Sequence, residues 1–183
     1  MTDTVDRPKR PFRKALTPVQ APPEMNRFVA AMRRLQDLAV SAAPDDDDVW
    51  ATAAGHIDEL SALLEVHAVP PDRAPAGRAT GITGLGHPLM PPWIATEMGP
   101  DGVTMRGRFS RFHVGGNSAV HGGVIPLLFD WHFGMIVSAA ARPVSRTAYL
   151  HVDYRRVTPI DEPLVVRGGI TSVDGRKAYV EST

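Results

Sequence analysis

The pattern of this 183-residue chain predicts an α+β fold: an antiparallel sheet wrapped around one long central helix, with a helical extension before it. Three observations support that expectation. From Gly123 onward, Val124, Ile125, Leu127, Leu128, Phe129, Trp131, Phe133, Met135, Ile136 and Val137 are apolar on nearly every side, the pattern of a helix buried all round. Two hairpin signals flank that run: Gly99-Pro-Asp101-Gly102 before it and Asp174-Gly175 after it. Between the run and the second hairpin, Ala148, Leu150, Val152 and Tyr154 alternate as one face of a strand.

In chain order, residues 1–23 are basic and rich in proline, with Arg7, Lys9, Arg10, Arg13 and Lys14 among Pro8, Pro11, Pro18, Pro22 and Pro23. Such a stretch cannot bury enough apolar surface to order itself and reads as a flexible tail. Residues 24–69 form the helical extension. Met25, Phe28, Val29, Met32, Leu35 and Ala39 recur at helical spacing, and a second helix with Val49, Trp50, Ala53, Ile57, Leu60 and Leu64 follows Asp45–Asp48. The four aspartates suit a helix amino terminus as cap and solvated charge, whereas a calcium loop needs further spaced oxygen ligands and a closing Glu. Residues 70–91 hold Pro70, Pro71, Pro75, Pro88 and Pro91 with several glycines and read as a linker or wrapping loop. Gly84-Leu-Gly-His-Pro88 inside it reads as loop, with a pocket lid as the alternative. Residues 92–183 hold the main domain. Strands are expected over 94–98, 103–109, 146–159, 164–173 and 177–180, with the helix running from near Gly122–Gly123 to about Ala141, before Pro143.

Composition narrows the function. The net charge is zero, which gives no general drive toward nucleic acid or an anionic membrane, and no cysteine is present, which excludes disulfides, zinc-thiolate sites and a thiol nucleophile. The first apolar pair, Ala15-Leu16, comes too late for a secretory core, and Asp130 and His132 interrupt the apolar run, so a cytoplasmic protein without a membrane span is expected. His56 and His67 are too far apart for a metal pair on adjacent turns.

The chemistry concentrates in Asn117-Ser-Ala-Val-His121-Gly122-Gly123-Val-Ile-Pro126-Leu-Leu-Phe-Asp130. Pro126 is comfortable only in a first helical turn, which puts the free N–H groups of that turn at the Gly-Gly end. Glycines there admit a ligand close to the backbone, and the dipole favours an oxygen gaining negative charge. Asp130 lies nine residues after His121, roughly 13.5 Å along the axis and about half a turn out of phase. One chain cannot bring both to one small reacting group. Two antiparallel central helices can, so an active site here is expected to be shared across a two-fold dimer.

His-Gly-Gly followed by an apolar stretch and an Asp nine residues after the His resembles the hotdog-fold acyl-CoA thioesterases of the phenylacetate-degradation (PaaI-like) type. The segment Arg146–Pro159 resembles that family's next strand, and the likeness covers roughly residues 92–183. The resemblance implies a hotdog fold, in a homodimer or dimer of dimers, that hydrolyses acyl-CoA without a cofactor. The Gly122 amide would bind the thioester oxygen, with Gly123 beside it. Asp130 of the partner would act as general base on water, or less favourably as nucleophile. His121 would orient the loop or the thioester. Asn117, two residues past the place where the family carries an asparagine, would position substrate, and Thr147 would orient the water. Trp131 and His132 depart from the family's small or acidic residue after the carboxylate, which implies an altered pocket wall. The family also usually supplies one more strand beyond Thr183.

Each residue has a plainer alternative. His121 could satisfy loop backbone groups, Asp130 could pair with Arg142 or Arg146, Asn117 could cap a turn, and Thr147 could simply be a strand former. Arg155 and Arg156 offer guanidinium forks for the CoA phosphates, or are solvated structural charges. Two other functions fit less well: a non-catalytic acyl-CoA-binding hotdog module, and a hotdog hydratase or dehydratase, whose Asp-x-Asn-Pro-x-His-like loop is absent from the sequence.

Overall fold

A computed structural model describes residues 17–183. The main domain is a four-stranded antiparallel sheet in the order β3 (Trp93–Gly99), β4 (Gly102–Gly107), β5 (Leu164–Asp174), β6 (Lys177–Ser182), with one helix, α3 (Val124–Ala139), lying across it. Both hairpins fall where the turn residues put them. Gly99 pairs with Gly102 around Pro100-Asp101, and Asp174 pairs with Lys177 around Gly175-Arg176. Gly175 has φ of 53°, a conformation that glycine adopts without a Cβ penalty. In β6 the burial alternates residue by residue, with Ala178, Val180 and Ser182 toward the helix.

The core is formed by Trp93, Val103, Met105, Phe109, Val120, Leu128, Ile136 and Val166. The sheet covers one side of α3. Leu128, His132 and Ile136, spaced four apart, are buried against it together with Val137, while Asp130, Gly134 and Ser138 are exposed. The expectation of a helix buried all round is therefore corrected: four strands can cover only one side of a cylinder, and the apolar residues flanking the buried row are half-open in the single chain. Trp131 belongs to those flanks and leans on the core rather than standing free in a pocket.

His132 is fully buried, at 0% exposure, and it ties three elements together. Its Nε2 lies 3.0 Å from the Val103 carbonyl of β4, and its Nδ1 lies 2.9 Å from the Ser182 hydroxyl of β6. A carbonyl can only accept, so Nε2 holds a proton, and in the neutral ring that burial favours Nδ1 accepts from the Ser182 hydroxyl. A second tight contact is Trp93 on Gly107, its cross-strand partner. The indole lies so close that a Cβ on Gly107 would stand 2.4 Å from its ring.

The expected strand over 146–159 is the main departure. Residues 143–157 form no ladder and bend at Ala148 and Arg156, and beyond them only Pro159 forms a bridge, to Ala119. Val114–Val120 close a loop before α3 by another bridge. A strand exists only where a second strand offers its N–H and C=O groups, and the sheet as ordered ends at β3 and β6, neither of which pairs with this segment.

The amino-terminal side holds α1 (Pro23–Ala39) and α2 (Asp47–Glu65), the latter capped by Asp46, whose carboxylate accepts from Asp48 N at 2.9 Å. Residues 1–16 of the expected tail lie outside the described residues. Further along the same stretch, β1 (Val19–Gln20) pairs in parallel with β2 (Ala79–Thr80). Val29 of α1 packs on Ala79 and Ile82, and the Arg33 guanidinium donates to the carbonyls of Met90 at 3.0 Å and Thr83 at 3.1 Å. Residues 79–90 thus wrap around α1, and the turn at Gly84–Gly86 is part of that packing.

Two stability outcomes are expected. Gly107→Ala forces the buried Trp93 ring to move, costing about 1–3 kcal/mol, measurable as a lower urea midpoint at unchanged slope. Burial pushes the imidazoles of His132 and His113 below the ordinary histidine range. Between those folded-state values and the ordinary one, the unfolded chain takes up protons that the folded chain refuses. Their contribution is complete above about pH 6.5 and is lost as pH falls through that value toward the folded-state ones. His132→Asn should flatten that acid limb of the stability curve, and no change in the limb would show that the ring contributes none of it.

Candidate active site

The Gly-Gly end of α3 is held by its neighbours on both sides. His121 Nδ1 accepts the Gly123 N–H at 3.0 Å, and the Tyr154 hydroxyl donates to the Gly122 carbonyl at 2.8 Å. Those two groups belong to the same peptide unit, so its plane is fixed from both faces. With Nδ1 accepting, a neutral His121 has its proton on Nε2, facing solvent. The Gly122 N–H, one peptide earlier, enters no hydrogen bond among the described residues. Gly122 and Gly123 are exposed, and a Cβ on Gly122 would stand 3.7 Å from the Tyr154 ring. The site can therefore offer one free amide beside a rigid peptide. Gly123, expected as a second contact for substrate, has its amide occupied by His121 within the chain.

The loop leading into this end is tightly closed. His121 N donates to His113 O at 2.8 Å, and a Cβ on Gly115 would stand 2.9 Å from His121 Cα. Asn117 sits at the tip of that loop with φ of 57°, exposed and without a side-chain hydrogen bond among the described residues. The turn accounts for an asparagine there, since Asn tolerates left-handed geometry well. The structure does not bring its side chain onto the Gly-Gly end.

Asp130 lies on the open side of α3, seven residues past Gly123, about 10 Å further along the axis. Its carboxylate accepts a hydrogen bond from the Thr147 hydroxyl, and neither Arg142 nor Arg146 forms an ion pair with it. The expectation of a buried acid is corrected for the single chain, where Asp130 is exposed because the sheet lies on the far side of its helix. Thr147 and Asp130, 17 positions apart, do come together. Two side-chain links, Thr147 to Asp130 and Tyr154 to Gly122, thus tether the extended segment alongside α3.

Arg155 and Arg156 are both exposed on that segment. Arg155 is 3.4 Å from Asp153, whose other oxygen faces His151 Nε2 at 3.0 Å. The hydrogen bond from His151, and secondarily Arg155, hold the Asp153 carboxyl below the usual carboxylate range. Tyr154 is the residue that sequence reading placed only as the aromatic end of a strand. Its signal was available in the alternation of 148, 150, 152 and 154, which turns Tyr154 to the same side as the half-buried Leu150 and Val152.

No group of three metal-ligating side chains occurs among the described residues, and no helix among them is long and apolar enough to cross a membrane. A cavity of about 200 Å³ lies between α1 and residues 75–88, and neither Gly122 nor Asp130 lines it. The candidate groups line an open surface of the single chain.

Residues 117–183 match the family model of the thioesterase superfamily. The acyl-coenzyme A thioesterase THEM4 of Rattus norvegicus is 34% identical over 64 residues, which are 35% of this chain and 27% of that protein, so the chain spans little more than a quarter of its relative's length. Among solved structures, protein RHA08564, a thioesterase superfamily protein, superposes with a TM-score of 0.74 at 26% identity, over 93% of this chain and 87% of that one. A thioesterase superfamily protein from Shewanella loihica PV-4 is 29% identical over 57% of this chain and 79% of its own, with a TM-score of 0.42. The helix-bearing antiparallel sheet is a hotdog fold, and the similarity to the thioesterase superfamily model lies in residues 117–183, a little over a third of the chain.

Proposed function

We propose that the chain is an acyl-CoA thioesterase whose active site forms between two copies, the Gly122 amide of one protomer facing Asp130 of its partner. The observation that supports this reading best is the division of labour along α3. A free amide beside a pinned peptide stands at one end, and a carboxylate with its own hydroxyl partner stands about two turns away. One thioester cannot touch both on a single helix, and two antiparallel copies of α3 present the missing half to each other. The half-open flanks of α3 and the unpaired backbone of residues 146–157 are the surfaces that such a copy would cover.

A thioester carbonyl is already activated, so a positioned water and an oxyanion donor suffice. Asp130, oriented by Thr147, takes a proton from water as its oxygen attacks the carbonyl carbon. Negative charge develops on the carbonyl oxygen, which the Gly122 N–H and the positive end of α3 stabilise. The tetrahedral intermediate collapses with cleavage of the C–S bond, and the proton held by Asp130 passes to the departing thiolate, giving free acid and CoA and restoring the carboxylate. His121 acts on this step through the loop it holds, and His121 with Tyr154 keeps the Gly122–Gly123 peptide from turning. Arg156, exposed and unpaired among the described residues, is the freer of the two guanidiniums for a CoA phosphate, while Arg155 is engaged by Asp153.

Because the chain contains no cysteine, released CoA thiol can be measured against a protein without thiol background. Asp130→Asn should reduce turnover of a susceptible acyl-CoA by about 10²–10⁴-fold. Turnover that survives this change would sink the mechanism, and CoA binding without turnover in the unaltered protein would favour the non-catalytic module. Sharing of the site has its own test. Asp130→Asn and Gly122→Pro, each inactive alone, should regain about a quarter of the normal rate when co-refolded in equal amounts, since half the dimers then hold one intact site. A site within one chain would regain nothing.

Tyr154→Phe removes the hydrogen bond to the Gly122 carbonyl and keeps the ring. The expected result is a kcat lowered roughly tenfold with little change in KM, because the loss is in oxyanion alignment rather than substrate affinity. A change confined to KM would assign Tyr154 to binding instead.

A further inference from the structure

Helices α1 and α2 leave a second large apolar surface open, to which none of the groups just described contributes a side chain. α2 contributes no buried residue at all. Trp50, Ile57 and Leu64, spaced seven apart, are 46%, 46% and 45% exposed. On α1, a stripe of Phe28, Leu35 and Leu38, also exposed, runs beside the row that packs on Ala79 and Ile82. Repeats of seven make a straight seam along a helix, the pattern by which one helix receives another. Soluble monomers rarely expose apolar patches of more than a few hundred Å². Between Phe28 and Val66, ten large apolar side chains stand in the open. Half-open side chains in that number amount to on the order of 800 Å², comparable with what each partner of a stable interface buries.

Charge selects the occupant. α2 holds Asp47, Asp48, Asp58, Glu59 and Glu65 with no Lys or Arg, so two α2 helices side by side repel each other. α1 carries Arg27 and Arg34 at the border of its open stripe, and Arg34 has no ion-pair partner among the described residues. The two helices have 17 and 19 residues, roughly 26 and 28 Å, so their seams are of matching length. The same chain thus presents an acidic seam and an arginine-flanked seam that do not cover each other within it.

We propose that a second copy of this chain covers them, each α2 lying along α1 of its partner in an exchanged helical interface separate from the hotdog sheet. The inference does not rest on the catalytic reading, since neither helix contains a residue assigned to the reaction.

The test is the particle mass of the full chain by light scattering, with Ile57→Glu/Leu64→Glu as the variant. Both positions are exposed in the single chain, so the fold should survive, as circular dichroism would verify. The expected result is a mass halved relative to the unaltered protein, from tetramer to dimer or from dimer to monomer. Arg34→Glu, a milder exposed change, should weaken the association at least fivefold, less so at high salt. An unaltered protein whose mass ignores all these substitutions overturns the proposal, whether α2 then folds back on its own α1 or awaits another protein. Hydrolysis measured on the same samples scores the catalytic reading separately: halved mass with or without turnover supports the interface.

Discussion

The site depends on how α3 is held against the sheet, and the buried imidazole of His132 is a directional link in that hold. Apolar packing of Leu128 and Ile136 holds α3 in the core, and hydrogen bonds add a directional constraint on its rotation. His132 gives its two ring nitrogens to two different strands, the Val103 carbonyl and the Ser182 hydroxyl. A hydrogen bond in a dry core is costly to leave unmade, so rotation of α3 by a fraction of a turn is resisted from both sides. Asp130 lies two residues earlier, about 200° around the helix. Burial of His132 therefore directs Asp130 away from the sheet. The carboxylate is exposed in the single chain because the imidazole is buried.

The same anchoring gives the extended segment its course. Thr147 reaches Asp130 and Tyr154 reaches Gly122, so residues 147–154 follow α3 although no strand pairs with them. One hydroxyl orients the carboxylate, and the other fixes the peptide beside the proposed oxyanion donor. Both candidate halves of the chemistry thereby depend on one stretch of chain. Its backbone N–H and C=O groups are solvated rather than paired, which leaves them available to a second copy without first breaking a ladder.

The sequence made the hairpins, the helix start and the carboxylate spacing legible because each rests on local chemistry: Asp174-Gly175 in a tight turn, Pro126 in a first turn, Asp46 as a cap. Thr147 was legible through family resemblance, and the structure brings it to Asp130. What could not be read was set by distant contacts. Apolar residues on all sides of α3 suggested burial all round, but how much of a helix a sheet covers depends on strand number and curvature. The alternation over 148–154 is real, yet an alternating segment becomes a strand only beside a partner. Asn117 was open to two readings, a substrate contact and a turn residue, and its left-handed φ of 57° accounts for the turn. The hold of Tyr154 on Gly122 spans 32 positions and has no local signature.

The two open surfaces also constrain assembly. An interface that meets its own copy is self-complementary and has a two-fold axis. A chain with one such interface stops at a dimer. A chain with two, one along α3 and the 146–157 segment and another along α1 and α2, either closes into a four-membered particle or grows into an open filament. Closure at four members requires the two axes to intersect at a right angle, and a linker that lets α2 settle independently of the sheet makes that angle easier to reach. Val40 to Asp46 is such a linker: Ser41, Ala42 and Ala43 are small, Pro44 ends any helical continuation, and Asp45 and Asp46 are solvated. If both proposed interfaces form, the helical extension and its linker would limit the size of the assembly, while the proposed surface along α3 would decide whether it acts on a substrate.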